Sequence, residues 1–558
     1  MHRTVRAAVR PMLKLLAFAM LFPIITGFDK APPKTSAEKA AEGGAAPLLD
    51  SPPQIAPATV PETKGTGSTW KSGKDQKPGT AAPAEPGGGE PAPGSDPGKV
   101  LSWDTGANKS YLIPALEVPG FLGLLNIYDR IAYPNQMQDG KKVYSSTFSS
   151  TWEHLRKQNW EFDQDPFNVN QFGHPYQGAT MYGLARSSGL GFWESLVYSN
   201  VGSFLWKMAG ETDPPSINDQ ISTGNAGSLL GEALFRMAGL VLEEGGSKPD
   251  AWHELGAAIV SPPTAINRLA FGDRFKTVYK SRDPATAWRF QLGSSFNTLS
   301  QLDANLNFAM AYGLPGKPGY TYKQPLDYFD FEISGQARTG NPVGNVLLRG
   351  LLIGKDYQAG NDYRGVWGLY GSYDYLSPAI FRVSTTALSL GSTGQLWVAP
   401  GVALQGSILG GVGFGAAGTS ETPVGQRDYH YGVTPQGLLA LRLLFGDRAA
   451  LELTGRGYYV TGTGFFGPSN ANTTGTNGTP VTQAASGGSE AIFRIQTGFN
   501  VRVYGRHGLG LQYVESIRDS QYGSQPTRHQ SDGTLSLVYT FLGDSHFGAV
   551  EWRDEGNR

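Results

Sequence analysis

Four ionisable residues lie within otherwise apolar, helix-patterned stretches of this chain: His174, Glu194, Glu211 and Asp219. Burying such a group is costly unless it is paired, so each is either a structural partner or part of a site. If His174 and Glu194 converge, with Glu211 or Asp219 orienting them, the imidazole is placed as a general base toward an ester or a water. One histidine with several carboxylates is also a possible donor set for a metal. Only His174 supplies a nitrogen in that region, however, and no His-x-x-x-His spacing occurs, so neither a metal nor a cofactor is expected. Structural roles compete for the same residues. Ser216 with Asp219 three positions on reads as a capping-box-like helix start. Glu211 sits near a helix end, where solvent can reach it. His174 precedes Pro175 and can hold a turn, and Glu232 with Arg236 has the spacing of a surface ion pair.

The elements that must position these groups follow from periodicity. Helical patterning runs through 117–133, 174–187, 191–210, 216–242 and 250–260, the last stopping before Pro262 and Pro263. Segment 191–210 places Phe192, Leu196, Ser199 and Ser203 on one side. Gly224, Gly227 or Ser228, and Gly231 form a small-residue stripe along 216–242 that lets another backbone approach closely. Asp163-x-Asp165 lacks the glycine and terminal glutamate of a calcium loop. Neither a Gly-x-Ser-x-Gly elbow nor a phosphate-binding lysine loop is present.

From about residue 273 the period changes to two. Trp288, Phe290, Leu292 and Phe296 alternate with polar neighbours, and the same pattern recurs at 304–312, 329–338 and 493–503. Runs of ~9–11 alternating residues suit tilted membrane strands and are about twice the length of sandwich strands. Charges at Arg289, Arg338, Arg494 and Arg502 then fall on a lumen side. Gly446-Asp447 and Gly505 to Gly508 read as tight turns, and 464–488 as a long external loop. Segment 380–419 fits one long strand or several. Leu535, Leu537, Tyr539 and Phe541 read as a closing strand with the aromatic end that the barrel-assembly machinery prefers, followed by a tail. With both chain ends on one side, strand number is even, at 12 or 14.

The whole chain agrees with this division. It has 558 residues and a net charge of −1, so no global field draws it to nucleic acid. Its zero cysteines exclude disulfides, thiolate chemistry and an N-terminal lipidated cysteine. Arg3, Arg6, Arg10 and Lys14 precede an apolar run from Leu15 to Phe28, the pattern of an export signal. The expected order is a signal peptide at 1–28, a disordered Pro/Ala/Gly-rich linker at 29–100, a helical domain at 101–272, an antiparallel transmembrane β-barrel at 273–541 and a tail at 542–558.

The helical domain resembles an uncharacterised bacterial envelope family known as a domain of unknown function. The segments that carry the resemblance are WEFDQDPFNVNQFGHPYQG at 160–178, GFWES at 191–195, GETDPPSIND at 210–219 and the Ser-Pro-Pro-Thr-Ala-Ile-Asn-Arg-Leu run within 259–269. The resemblance implies an outer-membrane setting and carries no reaction.

The expectation is therefore a Gram-negative outer-membrane barrel with its linker and helices periplasmic. The helices would pack at its periplasmic mouth or along the membrane interface, where Tyr182, Trp193, Tyr198 and Trp206 would suit. The partners expected are outer-membrane lipids and, during biogenesis, the assembly machinery. Three functions compete. They are binding or passage of an unidentified ligand with the helices as plug or adaptor, lipid modification centred on His174 and Glu194, and structural anchoring through 29–100.

Overall fold

A computed structural model describes residues 101, 106–138, 141–157, 160–162, 165–278, 280–298, 302–336, 343–378, 380–418, 429–462, 488–522 and 527–552. The export signal, the linker at 29–100, Arg338, Asp163 and most of the 464–488 loop lie outside these residues.

Seven helices of nine residues or more precede the barrel among the described residues, α1 Leu112–Ala132, α2 Phe148–Lys157, α3 His174–Ser187, α4 Phe192–Ala209, α5 Gly227–Glu244, α6 Ala251–Val260 and α7 Pro262–Ala270, with a single helical turn at Ile217–Asp219. Two of them begin with a wider, π-helical turn, Val169–Gly173 before α3 and Gln220–Ala226 before α5. Such turns recur where a helix must admit a neighbour or a site. The neighbour is visible: a Cβ on Gly178 of α3 would lie 1.8 Å from the Thr223 carbonyl oxygen, and one on Gly227 would meet the Gly178 backbone. The glycine stripe thus lets α3 and α5 run side by side in backbone contact. Gly224 faces Asn200 of α4 instead.

The barrel has twelve strands: β1 Thr286–Asn297, β2 Leu302–Tyr312, β3 Phe329–Gln336, β4 Val343–Ala359, β5 Tyr363–Leu376, β6 Arg382–Ala399, β7 Val402–Gly418, β8 Tyr429–Phe445, β9 Ala449–Thr461, β10 Gly488–Tyr504, β11 His507–Tyr522 and β12 Arg528–Leu542. Each is antiparallel to the next, and β12 closes onto β1 with Leu535 opposite Phe296 and Phe541 opposite Phe290. The aromatic-ended strand is therefore the seam. The 380–419 run divides into β6 and β7 at a turn where Gly401 takes a positive φ, and Gly446 and Gly505 do the same in the turns anticipated for them.

Directly paired residues share a face, so the register separates inside from outside. Leu292, Leu306, Leu390, Ile408, Leu511 and Leu537 belong to the exposed apolar rows of the outer wall. The inner wall carries Arg289, Asp330, Arg349, Gln405, Arg442 and Glu452. Apolar outside and polar inside is the pattern of a transmembrane barrel.

The position of the helices corrects one expectation. They do not plug the lumen, and they are not seated across a mouth. They pack on the outer wall. Met310, Phe331, Leu348, Tyr373 and Tyr431 stand in the same outward rows as the exposed belt, yet they are buried in one cluster with Tyr182, Leu229, Leu230, Ala233 and Met237 of the helices. Trp193 is exposed, while Tyr182 and Trp206 are interior.

Candidate functional site

Helices α3 and α4 form an antiparallel hairpin joined by Ser188–Gly191. This topology decides which polar residues meet. His174 opens α3 and Glu194 opens α4, so they stand at opposite ends of the hairpin, separated by about 20 Å of helix at ~1.5 Å per residue. The expected His174–Glu194 pair therefore does not form. Glu194 accepts hydrogen bonds from its own helix start, the Gly191 amide at 2.7 Å, and from Lys109 Nζ at 2.8 Å and the Tyr111 hydroxyl. Burial pushes its carboxyl upward, but these donors outweigh it and hold the group at about 2.

His174 instead meets the far end of α4 and the turn before α5. Its Nε2 lies 3.5 Å from Asp219 Oδ2, and its Nδ1 lies 3.2 Å from Gln177 Oε1. Lys207 Nζ lies between two carboxylates, 2.6 Å from Asp219 and 2.6 Å from Glu211. Trp206 Nε1 donates to Glu211 at 2.6 Å, Asn218 Nδ2 donates to Asp219 Oδ1 at 2.7 Å, and the Ser216 hydroxyl donates to Asp219 Oδ2. All of these residues are buried. Glu211 is thus an interior group rather than a solvated one. Ser216 is the N-cap residue as expected, but its hydroxyl serves Asp219 in place of the helix amides. Asp219 is saturated by donors, so it has little capacity left to polarise His174 for proton abstraction. The arrangement is a clamp that ties the start of α3 to the end of α4 and the entry to α5. Among the described residues, no group of three or more His, Asp or Glu side chains is placed to hold a metal.

Glu232 and Arg236, expected as a surface pair, are fully buried. The i,i+4 spacing is the same in either setting. The missing information was long-range: Arg236 also reaches Asp327 at 3.1 Å, in the segment between β2 and β3. Arg186 reaches Glu232 at 2.8 Å, and Arg282 reaches Asp327 at 2.6 Å. An alternating chain of three arginines and two carboxylates therefore fastens the helices to the barrel. Burial opposes ionisation of Glu232, but the two guanidiniums hold its carboxyl below the ordinary range. On α1, burial lifts the Glu117 carboxyl to about 8 against a weaker pull from Asn267.

A second fastening uses tyrosines of the outer wall. The Tyr373 hydroxyl donates to the Gln171 carbonyl at 2.5 Å and the Tyr429 hydroxyl to the Asp165 carbonyl at 2.5 Å, while Asn170 Nδ2 donates to Tyr429 at 2.8 Å. The segment leading into His174 is thus the part that grips the barrel.

The lumen is a separate polar region. Glu452 bridges Arg289 at 2.5 Å and Arg442 at 2.9 Å, Arg349 pairs with Asp330, and Arg518 pairs with Glu490 at 2.7 Å. A cavity of about 530 Å³ is lined by Asn305, Asn307, Glu332, Asn345, Arg494 and Ser536. A second, of about 140 Å³, lies beside Arg289, Arg349 and Glu452, and both touch Glu332 and Gln496. Sequence reading placed Arg289 and Arg494 inside and Asp330 and Glu332 on the polar side of their run, but not Glu452, which pairs with Arg289. Alternation supplies a facing direction and no cross-lumen distance.

The tail that follows β12 turns back against lumen side chains. Gln395 Nε2 donates to the Val550 carbonyl at 2.7 Å and accepts the Val550 amide at 2.9 Å. Gln405 Nε2 donates to the Gly548 carbonyl at 2.8 Å, and Arg442 to that of Phe547 at 3.0 Å. Val550 packs with Leu314, Tyr328, Leu351 and Tyr370 in one buried apolar cluster.

Residues 159–263 match the family described as Domain of unknown function (DUF3943). This DUF3943 segment runs from the barrel-gripping stretch through α7's first residues, and it contains His174, Glu194, Glu211 and Asp219. No curated protein matches the chain. Among solved structures, the NanC porin is similar at 7% identity over 45% of this chain and 98% of its own, with a TM-score of 0.23. The translocator domain of the autotransporter NalP from Neisseria meningitidis is similar at 15% identity over 46% of this chain and 88% of its own, with a TM-score of 0.20. The CymD monoaromatic hydrocarbon channel is similar at 9% identity over 48% and 90%, with a TM-score of 0.18. Such low scores carry no functional argument, and the twelve-strand closure rests on its own pairing.

Proposed function

We propose that this chain is an outer-membrane barrel that admits a small polar or charged solute into its lumen and is closed at one end by its own C-terminal tail. The observation that carries the reading is the set of lumen side chains, Gln395, Gln405 and Arg442, engaged by the carbonyls of residues 547–550. The polar cavity of about 530 Å³ falls within the ordinary volume range of small-molecule sites. The outer-membrane location is supported by the apolar outer wall together with the export-type N-terminus. An aromatic-ended seam strand is consistent with delivery by the assembly machinery. In this reading the plug is the tail, and the DUF3943 helices are a lateral adaptor.

The test compares planar-bilayer conductance of the full chain with that of a chain ending at Leu542, after circular dichroism shows that both are folded barrels. Truncation should raise single-channel conductance several-fold. An unchanged conductance in a folded truncated barrel would remove the tail as plug.

A further inference from the structure

Helices α1, α4 and α6 expose apolar faces, and α4 carries its polarity in the reverse sense for a domain surrounded by water. Every exposed residue of α4 is apolar: Trp193, Val197, Val201, Phe204, Leu205 and Ala209. The side chains it buries include Ser195, Ser199, Ser203 and Lys207. On α1, no exposed residue from Leu112 to Ile127 has a polar side chain, whereas Asp129 is buried. On α6, the exposed positions are Ala251, Trp252, Leu255 and Ile259. A surface helix in water turns its apolar stripe inward and its charges outward. Here α4 does the opposite and α1 and α6 expose apolar faces beside it, and an apolar area of this extent marks an interaction surface.

We infer that this outer face of the helical domain is covered by lipid acyl chains, so that the domain lies within the membrane beside the barrel. The inference rests on the outer-membrane reading of the barrel. Its occupant is chosen by continuity. The helices cover outward rows of the wall, and the uncovered members of those rows begin one pleat away. Val433 follows Tyr431 on β8, Val412 precedes Phe414 on β7 and Leu388 follows Thr386 on β6, each about half exposed. The apolar belt of the barrel thus runs directly up to the edge of the helices.

The way the helices are held points to the same surroundings. In hydrocarbon, apolar burial gives no driving force between elements, and association relies on close packing of small residues and on hydrogen bonds. The joints here are of that kind. They are the Gly178–Gly227 backbone contact, the tyrosine hydroxyls donated to carbonyls of residues 165–171, and the buried Arg236–Asp327 pair. No helix among the described residues is long and apolar enough to cross a membrane, so the domain lies along the wall.

The chain has no cysteine, which makes site-directed spin labelling direct. Val197→Cys, Val201→Cys and Leu255→Cys, with Leu390→Cys on the barrel belt as reference, are labelled with a nitroxide in the full chain. The labelled chains are reconstituted into phosphatidylcholine–phosphatidylglycerol vesicles, and collision with oxygen is compared with collision with a water-soluble nickel chelate. The exposed Asp250→Cys, in the charged turn before α6, supplies the aqueous comparison. The inference expects the three helix sites to match Leu390, with oxygen collision several-fold above nickel. If Leu390 reads as lipid and the helix sites read as water, this inference fails while the barrel reading stands. If the helix sites are shielded from both reagents, protein covers the face and the inference also fails. If Leu390 itself reads as water, the membrane reading fails first.

Discussion

The helical domain and the barrel lumen both hide charge behind an apolar exterior, but they hide it in different media. In the helices the charges are packed dry: Glu232 and Arg236 are wholly buried between Arg186 and Asp327. In the lumen, Glu452 and Arg349 border cavities large enough for water. A dry network has one arrangement and fixes position. A wet one can exchange a partner for water or for a solute. The contrast gives the helices a fixed position and leaves the lumen as the region where the proposed function would meet its solute.

The largest effect should come from breaking the dry chain. Glu232→Ala leaves buried Arg186 without its carboxylate and Arg236 with only Asp327, which Arg282 shares, and should cost ~3–5 kcal/mol in denaturant unfolding. Glu452→Ala, beside the lumen cavity, should cost less, on the order of 1 kcal/mol, because water can reach Arg289 and Arg442. Equal costs would erase the dry–wet distinction.

Glycine gives the next comparison. Gly178→Ala drives a Cβ into the Thr223 carbonyl, whereas Gly410→Ala on β7 meets nothing within 4 Å. The first should cost at least ~1–3 kcal/mol and the second close to nothing, read as midpoint shifts in the same titration.

Protonation gives a third. Because Glu117 is raised to about 8 from an unfolded value of 4.5, its neutral form suits the folded state. Its contribution is full below pH 4.5 and is lost as pH rises toward 8. Glu117→Gln should therefore gain stability relative to the parent above pH 8 and flatten the pH profile between those values. A parallel pH profile in the variant would show that this carboxyl is solvated. The smallest effect is Glu194→Gln. Its carboxyl, held at about 2, contributes above pH 4.5 and loses that contribution as pH falls through 2. The group is partly exposed, so less than ~1 kcal/mol should be lost at neutral pH.

Part of the barrel was legible residue by residue, while the 380–419 run was not divided and the strand number was left at 12 or 14. The 288–298, 304–312 and 493–503 runs lie in β1, β2 and β10 with the anticipated faces outward, and the seam strand was visible in its aromatic alternation. The site was legible only as a set of residue types. His174, Glu211 and Asp219 do converge, but Lys207, which bridges the two carboxylates, went unremarked because a lysine in a helix ordinarily reaches solvent. Glu194 was grouped with them because it shares their apolar sequence context.

What the sequence determined by itself is periodicity: a helical repeat up to residue 272 and a two-residue repeat from about 273, although the first strand starts only at Thr286, and hence which side chains share a face. Those are local properties of 3.6- and 2-residue geometry, fixed within a few turns or pleats. Which face meets which was decided only by the tertiary structure. The hairpin sense of α3 and α4 set Glu194 apart from His174, the helices took the outer wall rather than the lumen, and the tail turned inward to Gln395 and Gln405. Each of those outcomes depends on contacts between residues far apart in the chain, for which a local repeat carries no distance.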